Sequence, residues 1–264
     1  MWGVLDFAGG TVVHMSAGVA ALAGAMFLGP RRAYLEGDSH VASNVPYVLL
    51  GTGMLWFGWF GFNAGSALGA NATAAMAVAT TNTASAAAML TWILFDTARG
   101  RRPSALGACI GAVVGLVAIT PAAGYVSIGH SVFIGVLASV VSNWAVHVKS
   151  KSDLDDTLDV FPCHGVGGMV GMLATGLLAR DVGLMSGQTH TMLLHLLALV
   201  LVSTFAFVMS YLLYWITDRL ITLRVPFEQE AIGLDISQHN EYLDLEPFRQ
   251  FGGQAPVPSK QGHQ

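Results

Sequence analysis

Charge is what this sequence has least of. Only 11% of its residues are Asp, Glu, Lys or Arg, against about 25% in soluble domains, while 53% are apolar. The scarcity is uneven. Residues 73–95 carry no charge, and residues 192–216 carry one histidine and no charge. A bilayer core asks for about 20 apolar residues per helix. Seven stretches meet or approach that length: 7–28, 46–68, 73–95, 106–125, 132–148, 161–179 and 192–216. The fifth and sixth are short. This pattern excludes a large apolar α/β enzyme, whose strands of about 4–8 residues would alternate with polar helices. Cysteine is scarce too. Cys109 and Cys163 are too few for a disulfide framework, and small packed residues are the better reading of both. Cys163 abuts His164, but two adjacent ligand types without a second pair do not make a metal site. A basic leader is also missing: residues 1–6 have no Lys or Arg and the first apolar stretch is full length, so it is not a secretory signal peptide. The expectation is an all-α polytopic membrane protein with no cofactor and no nucleic-acid partner.

The few basic residues alternate between the loops. Arg31 and Arg32 follow the first stretch, Arg99, Arg101 and Arg102 the third, Lys149 and Lys151 the fifth, and Arg219 and Arg224 the seventh. The loops after the second and fourth have none, and the loop after the sixth has only Arg180. The basic ends are therefore cytoplasmic. The chain starts outside and ends inside, and one span more or fewer would break the alternation. Residues 1–222 form the membrane domain and 223–264 a polar cytoplasmic tail with six acidic residues between Glu228 and Glu246. Its end, residues 250–264, is rich in Gly, Gln and Pro and is expected to be disordered. The segment 232–236 mixes apolar residues with Gly233 and argues for local order.

Small residues recur within the stretches. Gly111 and Gly115 form one G-x-x-x-G pair and Gly167 and Gly171 another, and Ala84, Ala87 and Ala88 lie on the third stretch. Such residues let membrane helices approach closely. Pro121 with Gly124 breaks the fourth helix near its outer end.

Two histidines stand out against this background. His14 and His164 each open a run of small residues inside an apolar stretch. Each follows an aspartate that lies just before or near a Phe: Asp6 eight residues before His14, Asp159 five before His164. A polar ring in a membrane helix is costly and marks a transport path by default. A lone histidine can equally be a satisfied core residue; two on similar motifs favour two halves of one site. His195 has no such motif and reads as packing or lipid-interface. In the second stretch, Trp59, Phe62 and Ser66 fall at i, i+3 and i+7 on one helical face. Aromatic faces attract cations by about 0.5–2 kcal/mol each, so this face suits a cation vestibule with Phe62 as a plug. Rings near an interface are also ordinary belt residues. Asp6 can cap the first helix, and its charge can favour a nearby cation; among Asp155, Asp156 and Asp159, one caps the sixth.

Asp6-Phe7-Ala8-Gly9-Gly10-Thr11-Val12-Val13-His14 resembles the signature of the ammonium transporter family (Amt/Mep/Rh). So do Trp59-Phe60-Gly61-Phe62-Asn63-Ala64-Gly65-Ser66, Ala118-Ile119-Thr120-Pro121-Ala122-Ala123-Gly124-Tyr125 and Asp159-Val160-Phe161-Pro162-Cys163-His164-Gly165. The likeness runs from residue 1 to about 245 and is to Amt rather than Rh members. It implies the ammonium-transporter fold, with eleven membrane helices and an inverted repeat, of which seven are present here. His14 and His164 would then be the twin-His pair of the pore. Phe62 would be one of two gating phenylalanines, Ser66 part of the outer recruitment site, Trp59 a lumen residue inside the gate, and Asp6 the aspartate needed for conduction. The resemblance further implies a homotrimer in the cell (inner) membrane that carries ammonium or ammonia, with methylammonium as a candidate second substrate. It also implies a contact of Gly233-Leu234-Asp235 with a neighbouring subunit, and a PII signalling protein at the cytoplasmic face. The first four helices are lacking, which suggests a fragment or an internal start, and an incomplete pore. Residues 238–242 depart from the usual His-Gly-Glu pattern. The rival readings are an ammonium sensor of the same fold, a non-conducting fragment, and a membrane enzyme; the last would need ligand motifs such as H-E-x-x-H, which do not occur.

Overall fold

The computed structural model describes residues 3–37 and 42–241. Among these residues every regular element is helical. The chain divides into two units, Met1–Leu223 and Arg224–Gln264.

The first unit holds seven main helices: α1 Gly10–Leu28, α2 Val45–Gly65, α3 Ala72–Ala98, α4 Ala105–Ile119, α5 Ile128–Lys149, α6 Phe161–Leu178 and α7 Thr189–Leu220. A short turn of helix, Arg32–Leu35, follows α1, and a 3-10 turn, Leu184–Ser186, precedes α7. Local sequence explains the starts of α2 to α5. Asn44, Asn71, Ser104 and Ser127 each stand just before a helix and accept the backbone N–H three residues on, which satisfies one of the otherwise orphaned amides. Six of the seven helices are long and apolar enough to cross a membrane.

α4 is the exception: its helix ends at Ile119, short of the end of the apolar stretch 106–125. Its 15 helical residues, at about 1.5 Å rise each, fall short of a bilayer core of about 30 Å. The cause is Pro121, which has no N–H to donate. The chain leaves the helix at Ile119 and continues as hydrogen-bonded turns, with Ala122 N–H donating to Ile119 O at 2.9 Å and Tyr125 N–H to Ala122 O at 2.8 Å. The first helix likewise starts at Gly10 and not at residue 7.

Small and hydroxylated residues form the interior where α3, α4 and α5 pack. Ala84, Ala88, Ala112, Ala118, Ala122 and Ala138 are all buried. Ser85 Oγ donates to Ala112 O at 2.9 Å, Ser139 Oγ to Ala88 O at 2.9 Å, and Thr80 Oγ1 to Ala123 O at 2.8 Å. Each hydroxyl reaches a carbonyl outside its own helix, so it binds elements together without an unpaired polar atom. α1 crosses α6 at Gly18 and Gly165. A Cβ on Gly18 would collide with the backbone N and Cα of Gly165, so only glycine permits this approach.

Charges gather at one end. Arg31, just beyond α1, holds Asp155 with its backbone N–H at 2.9 Å, Nε at 2.6 Å and Nη2 at 2.7 Å. The fork is bidentate, the strong form of this pair, and the Asp155 side chain is only 2% exposed. Asp156 caps α6, its Oδ2 accepting the Phe161 N–H at 2.7 Å. Asp159 pairs with Lys149 Nζ at 2.8 Å. Burial pushes its carboxyl above the ordinary range, and the Lys149 ammonium opposes that rise. The three adjacent acids thus have three separate partners.

The second unit is described only in part. α8 Phe227–Ile232 and α9 Leu234–His239 flank Gly233, whose φ of +102° is accessible to glycine alone at little strain. Arg224 Nη2 donates to Glu230 Oε2 at 2.8 Å. The expected disorder of residues 250–264, and Tyr242 within the departing segment, lie outside the described residues.

Candidate functional site

α1 and α6 open in the same unusual way. Gly10–Met15 and Phe161–Val166 are both π-helical, and they contain His14 and His164 respectively. A π turn adds a residue to the helical repeat and re-aims the side chains that follow; such turns concentrate at functional sites. Each is preceded by an acid-anchored start. Asp6 Oδ2 accepts the Thr11 N–H at 3.0 Å, and Asp156 Oδ2 accepts the Phe161 N–H. Asp6 therefore caps the first helix from outside it, with Gly9 at the cap position proper.

Four of the six expected site residues meet. The His14 ring lies 6.0 Å from the His164 ring, 5.0 Å from Trp59 and 5.8 Å from Phe62, centroid to centroid. Trp59 and Phe62 are themselves 5.7 Å apart in an edge-on arrangement. His14 is buried, with 5% of its surface exposed. The other two sit further out. Ser66 ends α2, and its hydroxyl donates back to Phe62 O at 3.2 Å. Asp6 lies before α1, and its Oδ1 is buried with no hydrogen-bond partner among the described residues.

Thr120 was not among the expected site residues, though it lies in one of the recognised motifs. Its side chain is fully buried. Its hydroxyl donates to Leu116 O at 2.7 Å, accepts Trp59 Nε1–H at 2.9 Å, and lies 3.1 Å from His14 Nε2. A hydroxyl has one proton and two lone pairs. With the proton given to Leu116, both lone pairs are satisfied when Trp59 and His14 Nε2 each present an N–H. In that arrangement His14 carries its proton on Nε2 and Nδ1 is the acceptor. The backbone carbonyl of Thr120 also accepts the Ala8 N–H at 3.2 Å, so one residue touches His14, Trp59 and the segment that carries Asp6. Nothing in the sequence singles it out, since a threonine in an apolar helix is common.

A cleft of about 610 Å³ opens beside this cluster, lined by His14, Trp59, Phe62, Met54 and Leu55. Its lining is overwhelmingly carbon, with the imidazole and indole edges as its polar features. α2 forms its rim and is itself little buried: of its 21 residues only Asn63 is fully enclosed.

His195 corrects one expectation in part. It is fully buried and makes no lipid-facing surface. Its Nδ1 lies 2.8 Å from Thr191 O and its Nε2 3.0 Å from Leu5 O.

The sequence profile of the Ammonium Transporter Family matches residues 1–243. A putative ammonium transporter of Methanothermobacter thermautotrophicus is 46% identical over 248 residues, which cover 90% of this chain and 60% of that protein. Ammonium transporter Amt1 of Archaeoglobus fulgidus is 43% identical over 244 residues, 90% of this chain and 62% of that protein. Among solved structures, Candida albicans Mep2 superposes with a TM-score of 0.79 at 36% identity, covering 86% of this chain and 54% of that one. A sensor Amt protein superposes with a TM-score of 0.82 at 32% identity, covering 89% and 60%. The chain thus spans about 60% of the length of the curated relatives named here. It has the ammonium-transporter fold and is a multi-pass membrane protein. The chain belongs to the ammonium transporter family.

Proposed function

We propose that this protein carries ammonium across the membrane as ammonia, past the His14–His164 pair. The observation that carries the reading is the cluster itself: two imidazoles from two π turns, 6.0 Å apart, beside Trp59 and Phe62 at the wall of an apolar cleft. The physical problem is to tell ammonium from potassium, two monovalent cations of similar size. Stripping either of water in an apolar passage costs at least several kcal/mol. Ammonium alone can shed a proton. Capture near Ser66 and Phe62, followed by deprotonation near Asp6 and the Phe62 gate, meets that requirement, with the released proton travelling separately or along the two histidines. Ammonia then passes Trp59 and the two rings, whose nitrogens offer hydrogen bonds to a neutral molecule in a dry passage. A closed passage needs a second wall opposite α2, which the described residues do not supply.

The alternation of basic loops supports a cytoplasmic tail, at the inner membrane. A homotrimer, tail contacts through Gly233-Leu234-Asp235, and a PII protein at the cytoplasmic exits are part of the same proposal. The likeness to a sensor Amt protein supports a second reading, in which the cluster binds ammonium to report it with little flux. Reconstitution in liposomes decides between them. With the protein expressed from its complete reading frame, the transport reading expects saturable ammonium flux that excess potassium does not compete away. Ammonium binding without such flux would favour the sensor.

A further inference from the structure

Asp6 sits in a segment, residues 3–9, that belongs to no helix, so something must hold it. On its C-terminal side the Phe7 N–H donates to Pro121 O at 3.0 Å and the Ala8 N–H to Thr120 O at 3.2 Å. On its N-terminal side the anchor is His195, far away in sequence. Nε2 of that ring lies 3.0 Å from Leu5 O, across 190 residues. Leu5 O accepts no other hydrogen bond among the described residues.

The ring is built in. His195 is fully buried on α7. Gly176 of α6 leaves the room for it: a Cβ there would stand 3.0 Å from His195 Cγ and 3.1 Å from its Cβ. Leu194, its neighbour, packs where a Cβ on Gly3 would come within 3.2 Å of Cδ1. Three elements therefore close on one imidazole: α7, the α6 helix that carries His164, and the segment that carries Asp6. A neutral ring donates from one nitrogen. Thr191 O is one turn back in the same helix, where the helical pattern already supplies a donor. Leu5 O accepts from nothing else among the described residues, so we assign the ring N–H to Nε2, which leaves Nδ1 facing Thr191 O at 2.8 Å with no proton between them.

We propose that His195 is a positioning residue for transport: its Nε2–H holds Leu5, and so fixes Asp6 between two anchors. This rests on the reading of Asp6 given under Proposed function. Without His195 the described segment loses its hydrogen bond on the N-terminal side of Asp6, and the hold of Asp6 on the Thr11 N–H loosens.

The test uses the protein from its complete reading frame, with His195→Leu, His195→Gln and Asp6→Asn. Glutamine carries an amide N–H at the reach of Nε2; leucine fills the slot with no donor. Two readouts are taken: amide hydrogen exchange over residues 7–11, and ammonium uptake per molecule in the membrane. His195→Leu is expected to raise exchange at Phe7 and Thr11 and to lower maximal uptake about tenfold, equivalent to about 1.4 kcal/mol. His195→Gln is expected to restore both to within about twofold of the parent. If leucine prevents accumulation, Gly176→Ala replaces it, because it crowds the ring without removing its nitrogens. Unchanged exchange in His195→Leu, or equal losses in the leucine and glutamine variants, would overturn the inference. Uptake that survives Asp6→Asn would sink the reading of Asp6 instead, and the exchange result would still show whether His195 holds the segment.

Discussion

Thr120 shows how much of the site rests on one hydroxyl. It accepts from Trp59, approaches His14, and donates to Leu116. Thr120→Val keeps the shape and removes all three contacts. Two buried N–H groups then lose their acceptor, so the variant should lose about 1–3 kcal/mol of stability and most of its uptake; melting in detergent and uptake per molecule check this. The histidines themselves were legible from sequence, because a polar ring in an apolar run is conspicuous and a second one on a similar motif doubles the signal. Thr120 and His195 were not legible as contacts. A threonine can satisfy itself on its own helix, and the reach of His195 to Leu5 depends on how seven helices pack.

The elements carry a different kind of information. Apolar runs located the helices well, and polar cap residues explain where α2 to α5 begin. The short α4 departs from its apolar run because hydropathy continues through Pro121 while hydrogen bonding does not. The π turns left no trace in periodicity, since a run of 6 residues is too short to reveal an altered repeat. At this scale the crossing of α1 and α6 is the point of greatest sensitivity. Gly18→Ala forces a methyl into the backbone of Gly165, and overpacking of this kind costs about 1–3 kcal/mol. Because the collision lies one residue from His164, the variant should also spread the two rings. Lower melting temperature together with impaired uptake is the expected result, whereas Gly129→Ala, whose added Cβ meets only Ser127 Oγ at 3.9 Å, controls for general effects. The clamp at the basic end is similar in kind. Asp155→Ala leaves Arg31 without its bidentate partner and should cost about 1–3 kcal/mol, measured by the same melting curve.

The charged loops and apolar helices of the first unit both speak to orientation. Cysteine labelling tests the orientation directly. Asp153→Cys, in the loop before α6, should react with a membrane-impermeant maleimide only from inside, and Ser186→Cys, before α7, only from outside. Both native cysteines are buried, so they give little background. The reverse labelling would invert the topology. What the sequence left open at this scale is the wall of the passage. The exposed flank of α2, with Phe57 79% and Met54 67% exposed, asks for a covering surface, and residues 1–264 place none there among those described.

The central claim is that His14 and His164 are two halves of one selective passage. Its most direct test is an uptake measurement on liposomes holding the protein from its complete reading frame, with ammonium and potassium supplied in turn, for the parent and for His14→Ala with His164→Ala. The account predicts an ammonium response and no potassium response in the parent, and loss of selective ammonium transport in the double variant. Intact ammonium transport and intact discrimination against potassium without either ring would contradict it.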